Sequence, residues 1–208
     1  MTDLIVGADG RRRCAWPGED ALYLDYHDTE WGRPEESDSA LFEKLALEGF
    51  QAGLSWITVL RKRAAFREHF AGFEPATVAR FGERRIAAML DDPGIIRHRG
   101  KIESAIGNAR RALDVIDEFG SIAAYVWPYA PKPVRAPRSF VDLMATTPAS
   151  TALSKDLKRR GWTFVGPTTI HAFMQAMGMV DDHLSGCWVR GGCEELRRPV
   201  VARYRRGS

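Results

Sequence analysis

At 208 residues and 45% hydrophobic, the chain is long enough to bury a core without disulfides. Three cysteines, no N-terminal apolar run and no apolar stretch of about 18 residues argue against a disulfide-built secreted scaffold and a helical membrane protein, and for a soluble protein of a reducing compartment, read as cytoplasmic. A net charge of +3 is too slight to establish a nucleic-acid partner, so the distribution of charge has to carry that question.

Residues 1–13 show no periodicity and end in Arg11, Arg12 and Arg13, so a mobile lead-in is expected. The first organised segment, CAWPGEDALYLDYHDTEWG at 14–32, holds Cys14, Trp16, Tyr23, Tyr26, His27 and Trp31. Aromatic crowding usually means core. Tyr23, Tyr26 and His27 nevertheless fall at i, i+3 and i+4 on one helical face, and the polar tips there need an outlet.

Ser37 or Asp38 can cap the helix that follows. Along it Leu41, Leu45, Glu48 and Ala52 share one narrow stripe, which puts a carboxylate among apolar neighbours. An unpaired ionised carboxylate is too costly there, so Glu48 is expected either with a partner in the core or at the wall of a cleft; the plainer reading ends the helix early and leaves Glu48 solvated. Gly49 and Gly53 flank it, as suits a site that another backbone or a ligand approaches closely, and Leu54 and Trp56 lie just beyond. A carboxylate, an apolar tip and an indole suit a pocket for a flat cationic ring, or an ordinary helix corner.

Residues 57–70 read as an amphipathic helix, Pro75 opens a short one, and 84–90 forms another. In GIIRHRGKI, at 94–102, four basic residues sit between glycines and could meet a phosphate, or could form a solvated turn. A helix over 101–119 stops at Gly120, a shorter one spans 121–127, and Pro128, Pro131, Pro133 and Pro137 make the next segment a loop without a nameable motif. Thr147 and Pro148 start a helix running to Arg160. WTFVG then reads as a hairpin after Gly161, and Pro167 opens a second helix whose outward N-terminal amides make an anion site. Period-two alternation is nearly absent, so the chain is expected to be all-α.

In DDHLSGC, His183 and Cys187 stand at i and i+4, within reach of one metal from a helical turn, and Cys14 with His27 offers a second soft pair. Together they would make a Cys2His2 zinc site tying the two ends of the chain, although the spacing matches no zinc finger and Cys193 could compete for a place. Residues 191–208 form a basic tail, expected to be disordered from Arg197 onward.

CAW, YxxYHDxEWG from Tyr23 to Gly32, LEGFQAGLSW, GIIRHRGKI, LKRRGWTFVGPTT and DHLSGC, in that order, resemble the bacterial 3-methyladenine DNA glycosylase I family over roughly 14–187. The resemblance implies an all-helical, two-lobed helix-hairpin-helix glycosylase unit spanning 14–190, with the hairpin near 161–166. It implies structural zinc held by Cys14, His27, His183 and Cys187. It makes Glu48 the catalytic residue and builds the base pocket from Tyr23, Tyr26 and Trp56, with Trp16 and Trp31 nearby. DNA contacts are then expected at Leu54 with Gly53 beside it, and at Gly161, Val165, Gly166 and Thr168 around the hairpin. Asp181 and Asp182 rank below Glu48, and no lysine stands out as a nucleophile for strand cleavage.

The implied activity is hydrolysis of the N-glycosidic bond of 3-methyladenine in alkylated double-stranded DNA, releasing the free base and leaving an abasic site. A zinc-stabilised DNA-binding module without catalysis and a zinc hydrolase of small substrates are the competing readings. Nothing marks an oligomer interface or a membrane contact, and a monomer is expected.

Overall fold

The structure is a computed structural model that describes residues 3–132 and 135–205, so Pro133 of the proline-rich loop lies outside the described residues. The lead-in is not loose. Leu4–Val6 (β1) and Arg12–Cys14 (β2) pair antiparallel, with Leu4 opposite Cys14. The cause is Arg13, which is buried and holds Asp9 at 2.6 Å and Asp28 at 2.8 Å. A third anchor is the Asp3 carboxylate, which accepts a hydrogen bond from the amide of Phe140 at 3.0 Å.

The rest of the described chain is helical. Asp20 caps Ala21–Thr29 (α1) by accepting from the Tyr23 amide. Asp38–Gln51 (α2) follows, with Ser37 at its N-cap and the Asp38 carboxylate accepting from the Ile122 amide at 2.7 Å. The single helix expected over 57–70 is two, Trp56–Leu60 (α3) and Arg63–His69 (α4), broken at Arg61 and Lys62. Pro75–Val78 (α5) and Glu83–Asp91 (α6) lead to Arg99–Phe119 (α7), which Gly120 closes at φ 86°. Ile122–Val126 (α8), capped by Ser121, gives way to the proline-rich loop and a 3-10 turn at Phe140–Asp142. Pro148–Arg159 (α9) and Pro167–Ala176 (α10) are joined by residues 160–166, which contain no strand.

Helix α2 is the hub, packing against α3, α5, α7, α8 and α10. The expected narrow stripe is therefore too small an estimate: Leu41, Phe42 and every residue from Lys44 to Phe50 are buried, as befits a helix enclosed on all sides. Gly49 makes this possible on one side, because a Cβ there would stand 3.3 Å from Cβ of Phe164 in the α9–α10 connection.

The basic C-terminal segment is also ordered. Arg190–Arg205 (α11) buries Cys193, Arg197, Val200 and Val201. Its arginines led to the expectation of a solvated tail, but Arg197 is enclosed and donates to the carbonyls of Met179 (2.9 Å) and Pro131 (2.8 Å). These bonds dock the helix. Arg197→Met, which orphans both carbonyls, should lower the unfolding free energy by about 2–3 kcal/mol, read as a drop in the urea midpoint; an unmoved midpoint would mean that α11 does not hold the fold.

Candidate functional site

Helix α1 presents Tyr23 and Tyr26 toward α2, and the chain on either side brings in Trp16 and Trp31. These four rings, with Glu48, Gln51 and Trp56, line a cleft of about 330 Å³. Ring centroids stand 4.8 Å apart for Trp16 and Tyr23, 5.2 Å for Trp16 and Trp31, and 5.5 Å for Tyr26 and Trp56. Every aromatic residue expected in the pocket is there. Phe140 and Leu143 from the proline-rich loop and Ala172 and Gln175 from α10 complete the wall. Sequence reasoning missed those four, and for the loop pair nothing local signals them, since only the tertiary fold brings that loop over α1.

Glu48 is both paired and at a cleft wall, so its early solvation is ruled out: it is 5% exposed and its Oε1 lies 2.8 Å from Nζ of Lys44, one helical turn earlier. Lys44 is equally enclosed. Its ammonium donates to the Tyr26 hydroxyl at 2.9 Å and lies 3.2 Å from the centroid of the Trp56 ring. Burial pulls the Lys44 ammonium below its ordinary range, a shift the Glu48 carboxylate opposes. Burial, and after it Glu48, pushes the Tyr23 phenol up to about 12 and Tyr26 well upward, so both hydroxyls keep their protons. Beyond Lys44 the ion pair Arg63–Glu30 (2.5 Å) closes the rear of the site.

The end of α2 carries the exposed tip. Gly53 turns the chain at φ 84°, and Leu54 is 42% exposed. Lys101, one of the four basic residues read as phosphate-facing, points inward: its Nζ donates to the carbonyls of Phe50 (2.9 Å) and Ala52 (2.7 Å), satisfying groups the helix end leaves open. His98 caps α7, and Arg99 pairs with Glu83 and Glu103, so Arg97 alone of that cluster has no partner among the described residues.

In the α9–α10 connection Gly161 turns at φ 84°, and Gly166 is the N-cap of α10 with Thr168 in its first turn. Val165 departs from expectation. Its side chain is buried and its carbonyl accepts from Ser154 at 2.6 Å, while Phe164, at φ 55°, is the exposed large apolar side chain of the loop. Asn108 of α7 holds the loop from below through both backbone groups of Thr163, at 2.9 Å each.

Beside the cleft, in contact with Trp16 through the His27 ring (centroids 5.2 Å apart), Cys14, His27 and Cys187 bring their donor atoms within 4.8 Å of one another, all buried. His183 stands beside this group but outside that limit, its ring 5.0 Å from that of His27. The expected helical turn is absent: 181–189 is irregular, with Cys187 closing a turn on Leu184. Both imidazoles are oriented for a metal. His27 Nδ1 meets Asp28 at 2.8 Å and His183 Nδ1 meets Asp181 at 2.9 Å, which turns His27 Nε2 to Cys187 Sγ at 3.5 Å and leaves His183 Nε2 available. Nε2 of His183 is buried with no hydrogen-bond partner. Gly32 makes room for it, since a Cβ there would stand 2.7 Å from its ring. The bond with Cys14, and then that with His27, pulls the Cys187 thiol down to about 4, while Cys14 shifts upward. These residues fit a zinc ion. Cys193 lies outside the group, and burial raises its thiol to about 11. Asp181 meets His183, and Asp182 meets His171 and accepts from Gln175 of the cleft wall at 2.8 Å; neither aspartate itself lines the aromatic cleft.

The methyladenine glycosylase family matches residues 16–190. This chain belongs to that family. DNA-3-methyladenine glycosylase 1 of Escherichia coli (strain K12) is 47% identical over 178 residues, 84% of this chain and 95% of that protein. The 3-methyladenine DNA glycosylase I of Staphylococcus aureus, in a structure concerned with 3-methyladenine recognition, superposes with a TM-score of 0.81 at 37% identity, over 86% of this chain and 96% of its own. A point variant of 3-methyladenine DNA glycosylase I solved in complex with 3-methyladenine gives the same TM-score and identity, over 86% of this chain and 97% of its own. For a methyladenine glycosylase, the strands β1 and β2 lie before the matched residues and nearly all of α11 beyond them.

Lys101→Met should free the end of α2 beside the cleft. Faster hydrogen exchange at residues 52–54 and a stability loss of about 1–3 kcal/mol are the expected results; unchanged exchange would remove Lys101 from the positioning of Leu54.

Proposed function

We infer that this protein is a DNA-repair glycosylase that hydrolyses the N-glycosidic bond of 3-methyladenine in alkylated double-stranded DNA, leaving an abasic site. The observation that carries this reading is one carboxylate, Glu48, in the wall of a cleft lined by Trp16, Tyr23, Tyr26, Trp31 and Trp56. Alkylation at N3 makes the ring cationic and weakens the bond from N9 to the sugar. The enzyme therefore needs less acceleration than one acting on a normal base, and recognition carries more of the work. A flipped cationic purine gains more from aromatic faces than neutral adenine does. Glu48 accepts hydrogen bonds from the base and stands near the oxocarbenium-like sugar. When the bond breaks, its electron pair returns to N9 and the base leaves as neutral 3-methyladenine.

Leu54, raised on Gly53, has the exposure needed to enter the duplex where the nucleotide departs. Helices α9 and α10 with the loop between them serve as the helix-hairpin-helix element of a two-lobed glycosylase. Gly161, Gly166, Thr168 and the backbone of Val165 meet phosphates there without reading sequence. Among the described residues no helix is long and apolar enough to cross a membrane, in keeping with a monomer acting on DNA in the cytoplasm.

Zinc in this reading is structural. Cys14, His27, Cys187 and His183 would hold it, and the orphaned Nε2 of His183 supports the fourth place. Four protein donors leave no position for water, so the metal supplies a cross-link and no chemistry.

Glu48→Gln should cut release of 3-methyladenine from methylated DNA by a hundredfold or more, on the order of the effect of removing one electrostatic stabiliser, with duplex affinity little changed. Unchanged release would remove Glu48 from the mechanism, and no release by the wild type would favour a non-catalytic DNA-binding module. Metal analysis should give one zinc per chain, and a chelator should lower the melting temperature; a zinc-bound water would contradict the closed site.

A further inference from the structure

A second cavity, of about 700 Å³, lies between the proline-rich loop, the start of α9 and α11, and nothing above uses it. Its size is that of a small-molecule site, roughly 300–1,000 Å³. It adjoins the aromatic cleft, sharing Leu143 as a wall, but holds neither Glu48 nor any ring of the cleft. On α11, Glu194 and Arg197 of its lining lie beyond the residues matched by the family.

Among the described residues seven buried side-chain nitrogens and oxygens have no hydrogen-bond partner, and three belong to this lining: both ring nitrogens of His171 and Oδ2 of Asp181. His171 is 4% exposed and Asp181 8%. Asp182 Oδ2 stands 3.4 Å from Nε2 of His171 without hydrogen-bond alignment and accepts instead from Gln175, while the other oxygen of Asp181 is taken by His183. Buried polar atoms left unpaired are costly, so these mark a place for partners from outside the chain. The rim has the opposite character. Lys132, Arg135 and Arg138 are exposed, and none of their side-chain charges has a hydrogen bond or ion pair among the described residues. The acids of the lining near them are engaged: the Asp142 carboxylate accepts from the amides of Arg138 and Ser139, and Glu194 pairs with Arg198. Pro137, Met144, Pro148 and Val180 make much of the remaining surface apolar.

We propose that this cavity is a second ligand site, separate from the aromatic cleft, for a nucleoside monophosphate whose base carries an amino group. The amino group donates to Asp181 Oδ2, the oxygen that the protein itself leaves open. His171 meets a ring nitrogen of the base, since an imidazole nitrogen can donate or accept. The ring lies on the apolar lining, and the phosphate reaches Lys132, Arg135 and Arg138 at the rim, where guanidinium forks suit its oxygens. Water alone would satisfy the buried atoms but leave an apolar wall and three unpaired cations without a use. An amino acid also carries a donor and an anion, yet its two charges are one carbon apart and cannot serve interior and rim together. The same chemistry is offered by a free mononucleotide and by the phosphorylated 5′ end of a DNA strand.

The test is calorimetric titration of the full chain with AMP, compared with adenosine, which lacks the phosphate, and with purine riboside 5′-monophosphate, which lacks the amino group. AMP should bind once per chain, and each comparison compound roughly tenfold or more weakly, the size of one lost hydrogen bond to a charged group. Arg135→Gln combined with Arg138→Gln, both at exposed positions, should lower the affinity for AMP by a similar factor and leave that for adenosine unchanged. His171→Phe should weaken AMP and adenosine alike; should it fail to fold, the arginine pair still decides. Amide shifts on adding AMP should fall within 135–149 and 180–197. Shifts confined to 16–56 would put AMP in the aromatic cleft and overturn the proposal, as would no binding of AMP, or binding indifferent to the phosphate, the amino group and both arginines. Displacement of AMP by a 5′-phosphorylated single strand beginning with dA would assign the site to DNA ends, and no displacement to the free nucleotide. None of these readouts uses base release, so the glycosylase reading and this one fail separately.

Discussion

The fold is organised around a charge with little access to water. Glu48 sits on the helix that the other elements pack around, where an ionised carboxylate persists only with a partner. Lys44 is that partner, placed by the i, i+4 spacing of α2 itself, so the helix carries both halves of the pair and no second element has to be aligned to complete it. The remaining neighbours then follow. The Tyr26 hydroxyl accepts a hydrogen bond from the ammonium, Trp56 lies against it, and their rings become one wall of the cleft. Lys101 holds the end of the same helix and thereby the approach to Leu54.

The second constraint lies at the two ends of the chain. Cys14 comes from β2, His27 from α1, and Cys187 and His183 from the irregular segment after α10. The histidines are each steered by a carboxylate, and Arg13 in turn fixes Asp28. This chain of contacts runs from the strand pair to α1, where the cleft's Trp16 and Trp31 pack against the His27 and His183 rings. Tyr26 and His27 are adjacent in sequence, and one helix of nine residues serves the cleft with the first and the cysteine cluster with the second.

Much of this was legible in the sequence, and the exceptions have physical causes. A carboxylate on an apolar stripe and aromatic rings at helical spacing are local signals, and both led to the cleft. Lys44 escaped notice because lysine is ordinarily a surface residue and the stripe was drawn through Leu41 and Leu45; nothing in a single helix tells that its far side is also covered. The first strand and α11 were misread for a related reason. Runs of arginine suggest solvent, but Arg13 and Arg197 each find buried acceptors supplied by distant segments. Phe140 and Leu143 reach the cleft from a loop whose path depends on packing rather than on periodicity. Of the basic residues at 94–102, His98, Arg99 and Lys101 are engaged within the protein, which only the tertiary contacts reveal.

The bond from the Phe140 amide to Asp3 gives the amino-terminal strand pair a further importance. Phe140 belongs to the cleft wall, so Asp3, just ahead of β1, helps to fix the ceiling under which a ring would lie. Anything that tugs on that end of the polypeptide, such as a fused partner or a trimming protease, is mechanically coupled to the roof of the cleft through a single carboxylate.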